Sequence, residues 1–320
     1  MYKSINDLVI DTKSLQIQGA SSVAKIVIDI LSGNKDNLLK KSKTKDEFIE
    51  SIKDVASRLA LAEPTQTMAQ NILGSLIVEL QDDKIVSLET CVSAFDKTLS
   101  DIEKKIIENE KRFIENGVAL IKSLSKKSRT ANILTHCHSS GVRNVLKAAN
   151  DAEVPFKVFN TETRPVFLGR ATAKKMVDEN MDVTMIIDSA APFVISGKAG
   201  DKFKTDAVLL GCDTMTINGD AVNKIGSYGI SLSAYFNKVP LYIVTSLLKA
   251  RKGVYNILDI PMEIRPCSEV WDDAPAGLNI INLGFDVIPS EFITGYITEF
   301  GIIKPGDIKN TISRNYPRLL

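Results

Sequence analysis

Cysteine is sparse in this chain and scattered. The four residues, Cys91, Cys137, Cys212 and Cys267, form no CxxC pair. That spacing argues against a structural zinc site, and the length and context argue against a disulfide framework. An excess of one charge is also missing: 40 Lys plus Arg face 39 Asp plus Glu, for a net of +1. A broad nucleic-acid surface needs a basic stripe, so direct nucleic-acid binding is not expected. Long apolar runs are absent as well, and none approaches the roughly 20 residues that cross a bilayer. The opening MYKSINDLVIDTK alternates apolar and charged residues and lacks a signal-peptide core. We therefore expect a cytoplasmic protein with no membrane contact. Histidine is the scarcest titratable residue. Both copies lie in the stretch THCHSS, Thr135 to Ser140, around one cysteine.

What is present divides in two. At 320 residues the chain exceeds one ordinary core, which predicts two domains. The first part reads as helical. IKDVASRLALA (Ile52 to Ala62) repeats its apolar side chains at helical intervals. Cys91 to Lys127 is a long periodic stretch rich in Glu and Lys, readable as one helix or two stacked ones. Ser32 to Phe48 is polar and lysine-rich, a solvated loop or exposed helix face. After SKKSRT, short Val/Ile-rich runs alternate with amphipathic segments. ANILTH, FKVFN, VTMIID, DAVLLG, PLYIVT and LNIINL read as buried strands, and GVRNVLKAANDA, RATAKKMVDEN and KIGSYGISLSAYFNK as helices between them. The expected fold is α/β: a helical N-terminal domain over 1–127, then a Rossmann-like, mostly parallel sheet with helices on both faces over 128–320.

Ligands of such sheets bind beyond the carboxyl ends of the strands. Those ends carry Cys137 after ANILTH, Glu162 and Arg164 after FKVFN, Asp188 at the end of VTMIID, Asp213 after DAVLLG, and Ser246 with Lys249 after PLYIVT. A thiol, acids, an arginine and a lysine thus face one edge.

Three readings of Cys137 compete. A metal site would need His136, Cys137 and His138 to converge, but neighbours on an extended segment point to opposite faces. A plain core thiol is the common use of a free cysteine. A reactive thiol fits its place before a Ser-Ser-Gly turn that opens a helix, because a helix N-terminus favours the thiolate and offers amides to phosphate. Asp213 reads either as a turn or cap residue or as a carboxyl group opposite Cys137 that passes a proton to a substrate oxygen. Asn223 and Lys224 read either as a helix cap and a solvated lysine or as ligands of a sugar hydroxyl and a phosphate.

THCHS, NTETRP, VTMIIDSAA, LLGCDTMTINGDAVNKIGS and GFDVIPSEFITGYITEFGIIKP together resemble the superfamily of the alpha, beta and delta subunits of translation initiation factor 2B. That superfamily also holds ribose-1,5-bisphosphate isomerase and methylthioribose-1-phosphate isomerase. The resemblance spans Ala131 to Pro305 and is looser over the helical part. It implies an aldose–ketose isomerase acting on a phosphorylated pentose, most like ribose 1,5-bisphosphate, with Cys137 and Asp213 as the catalytic pair and no cofactor or metal. Asn223, Lys224 and Lys249 match substrate-binding positions, and Arg164 falls in the shared ETRP motif. A phosphate loop that reads Arg-Gly-Ala in the isomerases is Gln18-Gly19-Ala20 here, so Gly19 and Ala20 remain substrate-binding candidates. A second expected arginine is Glu63, before Pro64-Thr65, and an expected glutamate is Ser246. Glutamate for arginine turns attraction for phosphate into repulsion. The resemblance also implies a homo-oligomer, dimer or hexamer. It leaves an alternative: a non-catalytic regulatory subunit that binds a nucleotide or sugar phosphate and contacts initiation factor 2.

Overall fold

The computed structural model describes residues 19–62, 65–125, 129–251, 260 and 262–319, together with residue 7. Gln18, Glu63, Pro64 and the expected boundary residue Lys127 lie outside the described residues.

Four helices come first: α1 (Ala20–Lys41), α2 (Lys45–Ala62), α3 (Thr67–Leu80) and α4 (Leu88–Leu124). The lysine-rich stretch after Ser32 forms the end of α1, a short link and the start of α2, with its charges outward. The long periodic segment is one helix of 37 residues. Ser87 opens it with a capping box, accepting from Thr90 N–H while the Thr90 side chain serves Ser87. The length of α4 lets it serve two cores. Cys91, Phe95, Leu99 and Ile106 pack with α1 to α3. Further along, Phe113, Leu120 and Ile121 pack on the sheet.

The sheet begins with β1 (Ala131–Thr135). It is followed by α5 (Ser140–Asp151), β2 (Phe156–Thr161), α6 (Leu168–Asp178), β3 (Val183–Ile186), α7 (Ala191–Ile195) and β4 (Ala207–Leu210). Then come β5 (Thr214–Met215), β6 (Ala221–Lys224), α8 (Ser227–Phe236), β7 (Leu241–Val244), β8 (Phe285–Ile288), β9 (Gly295–Thr298), β10 (Gly301–Ile303) and α9 (Ile308–Asn315). Seven strands form the main sheet in the order β10-β9-β7-β4-β1-β2-β3. Every neighbouring pair is parallel except β9 with β10. A second, antiparallel sheet has the order β5-β6-β8.

The period of two along each strand builds one core on each face. Ile133, Leu209 and Ile297 meet α4, α5 and α6. Leu134, Val208, Ile243 and Tyr296 meet α7, α8 and α9. Helices therefore cover both faces, as the strand–helix alternation predicts. One expected strand is absent. LNIINL forms no ladder; it has a single bridge, Ile264 to Leu283, and leaves Ile281 80% exposed. An apolar run becomes a strand only where a neighbour offers hydrogen bonds and cover, and this one lies outside the sheet. Among the described residues no helix is long and apolar enough to cross a membrane.

Candidate active site

The central strands β1 and β4 lie side by side, and the chain leaves them in opposite directions, toward β2 and β3 on one side and toward β7 and β9 on the other. In open α/β sheets such a reversal is where a ligand crevice lies, beyond the carboxyl ends of the strands. His136, Cys137 and His138 leave β1 there; Gly211, Cys212 and Asp213 leave β4.

Cys137 sits in the left-handed region at φ 71°. Its N–H donates to Thr163 Oγ1 at 3.0 Å. Two residues on, Ser139 caps α5, its Oγ accepting from Val142 N–H at 3.3 Å. The helix N-terminus is where the sequence places it, but its expected effect on the thiol is overturned. Burial dominates and pushes Cys137 up to about 12; Lys224 pulls it down, while Asp213 and Asp188 push it up. Removing a thiolate's hydration costs more than one lysine and a helix end return. The resting group is a thiol.

Asp213 is no helix cap. Its N–H donates to Val222 O at 2.9 Å, and the chain continues into β5. Burial raises its carboxyl group above the usual carboxylate range, opposed by Lys249 and Lys224 and aided by Glu263. Asp213 thus acts on the Cys137 thiol, and Lys224 acts on both groups.

Asn223 and Lys224 end β6 rather than leading a helix, and both are buried. Lys224 Nζ lies 4.2 Å from the centre of the Phe285 ring. Asn223 Nδ2 donates to Ser227 Oγ at 2.8 Å. A Cβ on Gly211 would lie 2.5 Å from Ser139 Oγ and 3.5 Å from Asn223 Oδ1, so these three residues meet at the crevice. Lys249 Nζ donates to the Cys212 carbonyl at 2.7 Å. Ser246, where a glutamate is expected, caps the turn carrying Lys249 and donates to the buried Glu299 at 2.9 Å. From the helical part, Gly19 and Ala20 open α1; a Cβ on Gly19 would lie 3.6 Å from Ser140 Oγ. The starts of α1 and α5 therefore adjoin. Arg164 stands apart: it is exposed, donates to Val270 O at 3.0 Å and stacks over Phe167. Among the described residues no group of three His, Cys, Asp or Glu side chains could hold a metal ion.

The model of the Initiation factor 2 subunit family matches residues 16–305. The chain belongs to this family. Within it, the chain is 32% identical to methylthioribose-1-phosphate isomerase of Trichoplax adhaerens, covering 94% of this chain and 86% of the relative. It is 31% identical to ribose 1,5-bisphosphate isomerase of Methanocaldococcus jannaschii, over 92% and 89% of the two chains. The solved structure of translation initiation factor eIF-2B from Pyrococcus horikoshii OT3 superposes with a TM-score of 0.74 at 21% identity, covering 95% of this chain and 98% of that one. The family's sheet and helical arm are thus shared across enzymes and initiation factors, and fold does not choose between them.

Thr172 and Asp286 escape a reading by strand ends, whereas Thr163 and Asp188 stand at them. Thr163 and Thr172 hold the Cys137 peptide. Asp188 accepts the N–H groups of Thr163 and Arg164 at 2.7 and 2.6 Å. Asp286, paired with Asn223 in the small sheet, accepts from Gly226 N–H at 2.7 Å and Tyr228 N–H at 3.0 Å, while its Oδ1 has no partner. Burial raises Asp286 from 3.8 to about 7, against those two hydrogen bonds. A raised carboxyl group favours folding below its ordinary pKa, and that contribution is lost as pH climbs toward the folded value. Asp286→Asn is therefore expected to gain stability relative to the parent between pH 4 and pH 7, by roughly 2–4 kcal/mol. Urea unfolding at both pH values measures the gain, and a constant difference contradicts it.

Proposed function

We propose that this chain is an aldose–ketose isomerase acting on a pentose phosphorylated at C1, most like ribose 1,5-bisphosphate, which it converts to ribulose 1,5-bisphosphate. The observation that supports the reading is that Cys137 and Asp213 leave the two adjacent central strands at the same end, where Asp213 raises the Cys137 thiol and Lys224 favours the charged form of each. The names of the relatives support it, since methylthioribose-1-phosphate, ribose 1,5-bisphosphate and 5-deoxyribose 1-phosphate share a 1-phosphate and differ at C5.

In this mechanism Cys137, as thiolate, takes the proton from C2. Lys224 is the group that favours that form over the resting thiol. Asp213, whose protonated form burial favours, gives its proton to the ring oxygen O4 as the C1–O4 bond breaks; the resulting C1=C2 enol phosphate takes a proton at C1 from the Cys137 thiol and returns its hydroxyl proton to Asp213 as the C2 ketone forms. Amides at the starts of α1 and α5, with Gly19 and Ala20, receive a phosphate, helped by Lys224 and Lys249. Asn223 orients a hydroxyl. The breaking C1–O4 bond is the electron sink, so the chemistry asks for no cofactor. The active form is a homo-oligomer, dimer or hexamer.

The test is direct. The protein is incubated with ribose 1,5-bisphosphate, methylthioribose 1-phosphate and 5-deoxyribose 1-phosphate, and the ketose product is followed by NMR. Turnover of at least one is expected, fastest with the bisphosphate. No turnover of any, with capture of initiation factor 2, would favour the regulatory reading.

A further inference from the structure

The chemistry above uses neither histidine, yet the two flank Cys137. Their hydrogen bonds account for the placement. His136 is 1% exposed at the end of β1. Its Nε2 lies 2.8 Å from the Ile225 carbonyl oxygen, which can only accept, so Nε2 carries a proton. Burial disfavours the charged ring, which leaves Nδ1 as an acceptor. The Thr161 hydroxyl, at 2.6 Å, donates to it. Thr163 Oγ1 accepts the Cys137 N–H at 3.0 Å and has Thr161 Oγ1 and His136 Nδ1, each at 3.4 Å, for its own proton.

The other side mirrors this arrangement with the opposite tautomer. The Thr172 hydroxyl donates to the Cys137 carbonyl at 2.9 Å. Its oxygen then accepts from His138 Nδ1 at 2.7 Å, so in His138 the proton sits on Nδ1. Burial, with Lys175 and Arg143 nearby, lowers His138 to about 4, and the ring is neutral at pH 7. Both backbone polar groups of Cys137 are thus held by threonines; His138 backs Thr172 directly, and His136 reaches Thr163 at 3.4 Å beside its shorter bond to Thr161. A non-glycine residue at φ 71° persists only where its surroundings over-determine it. His136 reaches further. A Cβ on Gly226 would lie 3.0 Å from its ring, and its partner Ile225 follows Lys224 directly.

We propose that His136 and His138 are positioning residues: through Thr163 and Thr172 they clasp the Cys137 peptide by its N–H and its C=O and fix the thiol on the Asp213–Lys224 side of the crevice. The kinetic consequence rests on the isomerase reading; the clasp itself does not. Two histidines make the test clean. In the full-length protein labelled with 15N-histidine, long-range proton–nitrogen spectra at pH 7 are expected to show one ring protonated on Nε2 and the other on Nδ1, both neutral. A spectrum of His138→Asn assigns them. Two Nε2-protonated rings, or a charged ring, would overturn the clasp. Thr163→Val and Thr172→Val are expected to lower kcat about tenfold or more with KM within about twofold, and Thr163→Ser and Thr172→Ser to restore it. Valine variants with parental kcat would overturn the positioning role. If the parent turns over no sugar phosphate, the isomerase reading falls and the two ring tautomers alone decide the clasp.

Discussion

Cys137→Ser and Asp213→Asn should each lower kcat by about a thousandfold or more while leaving the fold intact. Both changes keep side-chain size, so packing is not their target. A serine hydroxyl is a far weaker acid than a thiol, and in a crevice that already pushes the thiol up to about 12 no base form of serine is within reach. Asparagine keeps the shape of Asp213 but has no proton to pass. Because the two residues act on the same proton inventory, their double variant should lose little more than either single one. Product NMR gives the rates, and circular dichroism melting checks the fold. Near-parental turnover in either variant would move the chemistry to other groups.

Gly169→Ala should cost about 3 kcal/mol of stability or more. Gly169 lies at the start of α6, where its N–H donates to Glu162 O at 3.1 Å and its carbonyl accepts from Asn160 Nδ2 at 2.8 Å. A Cβ there would fall 1.8 Å from the Thr161 carbonyl oxygen and 2.9 Å from the Glu162 carbonyl carbon. Both are backbone atoms and cannot swing aside. Relief requires α6 to move away from β2, and that movement displaces Thr161, Thr163 and Thr172 together. Activity should therefore fall with stability. Gly74 is the contrast: it is exposed within α3, and a Cβ added there would meet no atom within 4 Å. Gly74→Ala should gain about 0.5–1 kcal/mol from helix propensity. Urea unfolding of the two variants reads both signs, and a Gly169→Ala protein of parental stability would contradict the close approach.

The alternation of ANILT, FKVFN and AVLL with amphipathic segments is enough to read the central strands, because parallel strands buried on both faces are apolar throughout. Their polar ends then point to Cys137 and Asp213. The last strands are harder to read. β8, β9 and β10 have only three or four residues each and are broken by Pro289 and Gly301, so no run stands out. LNIINL misleads for the opposite reason: it has the composition of a strand but only a single bridge in place of a ladder. Thr163 and Thr172 lie 26 and 35 residues from Cys137, and β2 and α6 alone bring them to it. The direction of the Cys137 shift is not legible either. A helix start can be read locally, whereas desolvation depends on everything packed around the sulfur.

The most direct measurement is a crystal structure of the Cys137→Ser protein soaked with ribose 1,5-bisphosphate. The sugar should lie in the crevice with C1 and C2 between the residue 137 hydroxyl and the Asp213 carboxyl group, and with its 1-phosphate against the starts of α1 and α5. A sugar bound elsewhere, or a crevice filled by the protein's own side chains, would contradict the account.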